Sequence, residues 1–90
     1  MTTLYRILTE RRANLARIAG ARFDGFTILH GSGYFRGYAE ESSIIEILTD
    51  NSASQRATVY DLAEDIRREN EQTAVYVTEQ SIAVSVFGSA

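Results

Sequence analysis

Read by its hydrophobic and polar positions, the stretch from Gly25 to Leu48, which holds four of the six glycines, forms two strands around a polar elbow. Phe26, Ile28 and His30 fall on one face of the first strand, with Thr27 and Leu29 on the other. Gly31-Ser32-Gly33 predicts an interruption there, a bulge or tight bend. Tyr34, Phe35 and Arg36 then resume extended structure, residues 37–41 turn the chain, and residues 43–49 return it. In the return strand Ile45 and Ile47 face one way, and Ile44, Glu46 and Leu48 the other.

Residues 3–8 fit a strand with Tyr5 and Ile7 opposite Leu4, Arg6 and Leu8, or the start of a helix; the strand is the preferred reading. Thr9 is then an N-cap for a helix over residues 10–19, with Leu15, Ile18 and Ala19 inward and Gly20 as a left-handed stop. A second helix opens on the capping box Ser52-x-x-Gln55 and buries Val59, Leu62, Ala63 and Ile66. Its opposite face carries Asp61, Glu64, Asp65, Arg67 and Arg68, with Glu64 and Arg68 at pairing distance. Residues 73–78 form a strand, Glu79-Gln80 a connection, and residues 81–87 a further strand with Ile82, Val84 and Val86 on one face. The order is βαββαβ with an extra C-terminal strand. An antiparallel sheet with two helices on one face is an α+β fold, the ferredoxin-like plait, in one domain over residues 1–90.

Composition narrows the function classes. A net charge of −3 disfavours a nonspecific nucleic-acid binder, which needs a basic face. Without cysteine there is no disulfide framework or thiol nucleophile, and one histidine does not make a metal site. No apolar run is long enough to span a membrane and no signal-peptide layout opens the chain, so the cytoplasm is the expected compartment. All nine basic residues are arginine, which fits a GC-rich coding genome.

Candidate chemistry gathers at the elbow. Gly31-Ser32-Gly33 could cradle an anion through its amides, and Arg36 could pair with an anionic ligand or with Glu41. His30 is either a base or pH switch, or a hydrogen-bonded structural residue. Glu40 and Glu41 are adjacent carboxylates, most simply solvated charges, and Glu46 is a lone acid among isoleucines and leucines that would face a partner subunit or Arg36. Tyr34, Phe35 and Tyr38 form an aromatic cluster suited to core, interface or cleft. The expected ligand-binding set is His30, Gly31, Ser32, Gly33, Tyr34, Arg36 and Glu41; the sequence names no catalytic set, no metal ligands and no cofactor.

The segment from Gly25 to Gly33, Gly-x-Thr leading through a strand to Gly-x-Gly, resembles the second-strand region of PII signalling proteins, and the element order resembles that family over residues 3–78. The chain is also similar to small, poorly characterised bacterial and phage proteins with Gly-x-Gly-aromatic followed by Glu-x-Ser. The PII resemblance implies a trimer with ligand clefts between subunits, Gly31 and Gly33 matching the glycines that approach a nucleotide phosphate. Two features depart from it: residues 37–41 leave no room for a long docking loop, and residues 73–90 contain no basic residue. CutA-like trimers share the plait with a tighter loop. The expectation is a noncatalytic homo-oligomer, a trimer by resemblance, that binds a small anionic ligand in a regulatory role, without nucleic acid or membrane. The alternative is a protein-interaction module such as a phage-encoded inhibitor of host defence, recognising a protein partner through the aromatic elbow. A third is an enzyme built on His30 and the glutamates.

Overall fold

The computed structural model describes residues 1–88. Helix α2 (Ala53–Glu69) buries Val59, Leu62, Ala63 and Ile66 as the helical spacing requires. The Ser52 hydroxyl accepts the Gln55 N–H at 3.2 Å, and the Ser52 N–H donates to the Asp50 carboxylate at 2.9 Å. The second arm of the capping box therefore comes from the preceding strand and not from Gln55. At the other end Glu71 adopts φ 52°. Its N–H reaches the Arg68 carbonyl at 3.2 Å, and the Gln72 N–H reaches that of Arg67 at 2.9 Å. This bond pair closes a helix through a left-handed residue, a position that glycine fills without strain.

With β1 (Thr2–Glu10), α1 (Leu15–Gly20), β2 (Thr27–Phe35), β3 (Tyr38–Asp50) and β4 (Tyr76–Ile82), the order is βαββαβ. The strands make one antiparallel sheet, β2-β3-β1-β4, in the α+β ferredoxin-like arrangement. The core lies between the helices and one sheet face, where the cross-strand partners Ile7 and Ile45 are 0% exposed and Tyr5 and Ile47 are 1% exposed. Leu15, Ile18 and Ala19 of α1 close it. Among the described residues no helix is long and apolar enough to cross a membrane.

Four local expectations change. The first strand runs on through Thr9 and Glu10, because Thr9 faces inward and exchanges hydrogen bonds with the Gln72 amide at 3.0 and 2.7 Å. The Glu10 N–H also donates to the Gln72 side-chain oxygen, so Thr9 ties β1 to the end of α2 and does not cap α1. Helix α1 begins only at Leu15, after Asn14, with no side-chain cap, and Gly20 ends it without a left-handed φ. Gly31-Ser32-Gly33 interrupts nothing: β2 pairs with β3 residue for residue from Thr27↔Glu46 to Phe35↔Tyr38. The turn is Arg36-Gly37 alone, and residues 38–41 belong to β3.

The C-terminal part also differs. Glu79 and Gln80 lie inside β4, paired with Tyr5 and Leu4, and residues 83–87 form no strand. The separate C-terminal strand is therefore absent among the described residues. Glu79 holds its place in the strand because it has partners: Arg56 Nε and Nη2 donate to it at 3.1 and 2.9 Å and the Tyr60 hydroxyl at 3.3 Å. Arg56 also lies 4.6 Å from the Tyr60 ring centroid.

These contacts give two tests. In urea denaturation Ile45→Ala is expected to lose roughly 2–5 kcal/mol and Ser52→Ala about 1 kcal/mol, whereas Glu71→Gly gains about 0.5–1 kcal/mol by relieving the left-handed strain. Hydrogen bonds from Arg56, opposed in part by desolvation, hold the Glu79 carboxyl below its ordinary 4.5. A depressed folded-state value contributes stability above the unfolded value, which is lost as pH falls through the folded one. Stability measured from pH 6 down to pH 3 should therefore decline less steeply in Glu79→Gln than in the parent; equal slopes would refute the assignment.

Candidate functional site

The β2–β3 hairpin extends past the helices, and residues 31–41 are exposed except for the half-buried Gly33. Its tip is a two-residue turn with both central residues at positive φ, Arg36 at 52° and Gly37 at 82°. Such a turn suits the twist of paired strands and favours Asn-Gly or Gly-Gly. Arginine in that position is strained.

The turn also fixes which amides are free. Phe35 and Tyr38 close a two-residue hairpin as a hydrogen-bonded pair, and bonded pairs recur at every second residue. Gly33↔Glu40 and Gly31↔Ser42 are therefore bonded pairs. The Arg11 N–H donates to the Glu41 carbonyl at 3.1 Å, which points the backbone of Glu41 toward β1 and fixes the same alternation. The Gly31 and Gly33 amides thus face β3, while those of His30, Ser32 and Tyr34 look out from the sheet edge.

The seven expected site residues are neighbours along one arm, but the sheet divides them. His30, Ser32, Tyr34 and Glu41 share the helix-side face; Gly31 and Gly33 lie on the opposite face, and Arg36 stands at the tip. A Cβ at Gly31 would meet nothing within 4 Å, and one at Gly33 would come within 2.5 Å of the Ser42 hydroxyl. This side of the edge strand is bare at Gly31, whereas at Gly33 the Ser42 side chain occupies the space.

His30 Nδ1 lies 2.7 Å from the hydroxyl oxygen of Ser43, whose residue is only 1% exposed. That contact satisfies a buried hydroxyl. It makes no catalytic pair, because Ser43 is out of reach of a substrate and no carboxylate hydrogen-bonds to His30 among the described residues. Arg36 does not pair with Glu41; it packs over Phe35, 5.1 Å from the ring centroid. Tyr34, Phe35 and Tyr38 are 74%, 60% and 77% exposed.

Electrostatics set the arm apart. Arg6, Arg12, Arg17, Arg22, Arg56, Arg67 and Arg68 all pair with carboxylates. On α2, Glu64 is held by Arg67 more closely than by the expected Arg68. Hydrogen bonds from Arg67 lower the Glu64 carboxyl, and one from Arg22 lowers that of Asp65. Among the described residues Arg11 and Arg36 are the two without such a partner, and both belong to the arm or its base. The position of Arg11 beside Glu41 was not legible before the register was known.

Glu46 is not opposite Arg36. Its cross-strand partner is Arg6, whose Nε donates to Glu46 Oε2 at 2.8 Å on the helix-free face. The main cavities lie away from the hairpin tip: one of about 450 Å³ between α1 and α2 beside Arg17 and Asp65, and one of about 370 Å³ around Arg6 and Glu46.

No protein-family model matches the chain, and no curated protein matches it. Solved structures share the fold. A phage SAM lyase in complex with S-methyl-5'-thioadenosine superposes with a TM-score of 0.69 at 16% identity, over 88% of this chain and 80% of that one. A DUF3240 family protein from Shewanella baltica OS155 gives 0.68 at 15%, over 98% and 97%. CPII, a nitrogen regulatory PII-like protein from Thiomonas intermedia K12 bound to ADP, AMP and bicarbonate, gives 0.61 at 15%, over 94% and 96%. The resemblance to PII-like and CutA proteins therefore holds at the level of the fold.

If Arg36 is kept in a strained turn for a reason other than stability, Arg36→Asn separates the two. The Asn-Gly turn is expected to raise the thermal midpoint by relieving the strain; a lower midpoint would remove the case for strain.

Proposed function

We propose that the chain is a noncatalytic, homo-oligomeric small-molecule-binding protein of regulatory type, whose ligand is an adenosine derivative held along the β2–β3 arm. The observation that carries the reading is the arm's unsatisfied binding capacity. Outward amides at His30, Ser32 and Tyr34, the Arg36 guanidinium and exposed aromatic rings lie on a hairpin tip that no other described residue covers, and Arg11 stands at its base. Anions are bound by amides and guanidinium groups, and nucleobases by aromatic faces. A second copy packed beside the arm would close the cleft, as the trimer implied by the PII resemblance would. Two of the fold neighbours were solved with adenosine compounds, which supports that ligand class. In this reading Gly31 contributes bare backbone surface, Gly33 makes room for the Ser42 hydroxyl, and Glu41 faces the ligand's polar edge.

A second reading is favoured by charge. Glu40 shares the helix-free face of the arm with Phe35 and Tyr38 and has no ionic partner among the described residues; that carboxylate and those rings suit a sulfonium cation better than a phosphate. An adenosyl sulfonium cleaved at a carbon–sulfur bond would then be a substrate, as the name of the phage lyase suggests for that protein.

Thermal shift with ATP, ADP, AMP, S-adenosylmethionine and S-methyl-5'-thioadenosine tests both. A ligand at tenfold its Kd stabilises the folded state by about 1.4 kcal/mol, a shift of several degrees for a chain of this size. Stabilisation by a nucleotide, lost in Tyr34→Ala and Arg36→Asn, is the expected result. Formation of S-methyl-5'-thioadenosine from S-adenosylmethionine would establish the lyase reading instead. No shift with any of them at millimolar concentration, or monomers at every protein concentration by native mass measurement, would overturn the proposal.

A further inference from the structure

The helix-free face of the sheet carries a charged pair in an apolar setting. Arg6 and Glu46 are directly opposite in register, flanked by the pairs Leu4↔Leu48 and Leu8↔Ile44 on the same face. Their side chains are 44% and 26% exposed. At that exposure a cross-strand ion pair adds little to stability.

Only part of the pair is used. Arg6 donates to Glu46 through Nε, and among the described residues its two terminal nitrogens and Glu46 Oε1 have no hydrogen-bond partner. Beside them opens a groove of about 370 Å³ lined by Leu4, Phe26, Thr27 and Leu48. This is within the lower range of small-molecule sites, which combine apolar walls with a few directed polar groups.

We infer that this groove binds the zwitterionic head of an α-amino acid with an apolar side chain. The terminal guanidinium nitrogens of Arg6 take the α-carboxylate through two parallel hydrogen bonds. Glu46 Oε1 accepts from the α-ammonium, and the side chain lies against Leu4 and Leu48. The site and the ligand are both electrically neutral overall, so binding leaves no net charge on the apolar face. The groove is separate from the adenosine site: it lies at the other end of the β2–β3 hairpin and shares none of residues 30–41.

The test is amide and methyl NMR of the full chain with L-leucine and L-methionine, alongside 3-methylbutylamine and 4-methylpentanoate, which each keep one half of the leucine head group. The expected result is shifts centred on residues 4, 6, 26, 27, 46 and 48 with the amino acids, and at least tenfold weaker binding of the two fragments. Glu46→Gln should weaken L-leucine at least tenfold with an unchanged circular dichroism spectrum, Leu48→Trp should block the groove, and Asp61→Asn, on the exposed side of α2, should leave L-leucine binding unchanged. Absence of shifts at these residues with both amino acids, fragments that bind as well as leucine, or unaltered affinity in both Glu46→Gln and Leu48→Trp would each overturn it. Failure here leaves the thermal-shift result at the arm unaffected, so the two proposals fail separately.

Discussion

The pairing of β1 with β3 decides where the other elements lie. Ile7 meets Ile45, and Tyr5 meets Ile47, with no more than 1% exposure at any of the four. A slip of one residue would turn these side chains to the open face and bring Arg6 and Glu46 under the helices. The cost of burying that ion pair, added to the loss of the apolar contacts, makes the register strongly determined. With the register set, α2 lies over β1, β2 becomes an edge strand, and the Arg6–Glu46 pair is directed outward.

The helices cover less than the sheet offers. Helix α1 has six residues and α2 seventeen, while β3 runs for thirteen and carries β2 beyond the covered region. From Gly31 to Glu41 the chain gains strand hydrogen bonds but almost no core contact. A two-stranded ribbon of this kind is marginal by itself, and its aromatic groups remain in water. The arm is therefore best understood by what could cover it, and the same holds for the aliphatic residues on the helix-free face.

Legibility in the sequence followed side-chain burial. The stripe of α2, the inward pair Ile45 and Ile47, and the strand preference for residues 3–8 were all readable, because a core on one side imposes a period. The misreadings fall where no core acts. Gly31-Ser32-Gly33 looked like a break because glycine carries no side chain to show alternation, although the ladder through it is regular. Arg36 gave no sign of a left-handed turn, since glycine at the next position was the only compatible residue. Glu79 and Gln80 read as a loop on polarity, yet β4 is an edge strand whose carboxylate is fixed by Arg56 and Tyr60. Thr9 resembled a cap because its hydroxyl was known but its partner, Gln72, lay far along the chain. At the candidate site the residues were readable and their partners were not: His30 goes to Ser43, Arg36 to Phe35, and Glu46 to Arg6.

Arginine is the sole basic residue, and its pairing is uneven along the chain. Seven of the nine are consumed in ion pairs, most of them exposed, where each contributes little to stability. The two left over are not scattered. Arg11 is bonded through its amide to the β3 side of the arm, and Arg36 stands at its tip on a backbone that glycine or asparagine would adopt at lower cost. Among the described residues the arm and its base therefore carry two unpaired guanidinium groups together with two unpaired carboxylates, Glu40 and Glu41. Were the arm to hold an adenosine derivative, as proposed, those two carboxylates would set its selectivity. A fully ionised triphosphate would meet repulsion from them, whereas a ligand with less negative charge, or with a cationic centre beside its adenosine, would not. Under that proposal charge balance along the arm would separate ligands within the class ahead of any contact that the rings supply.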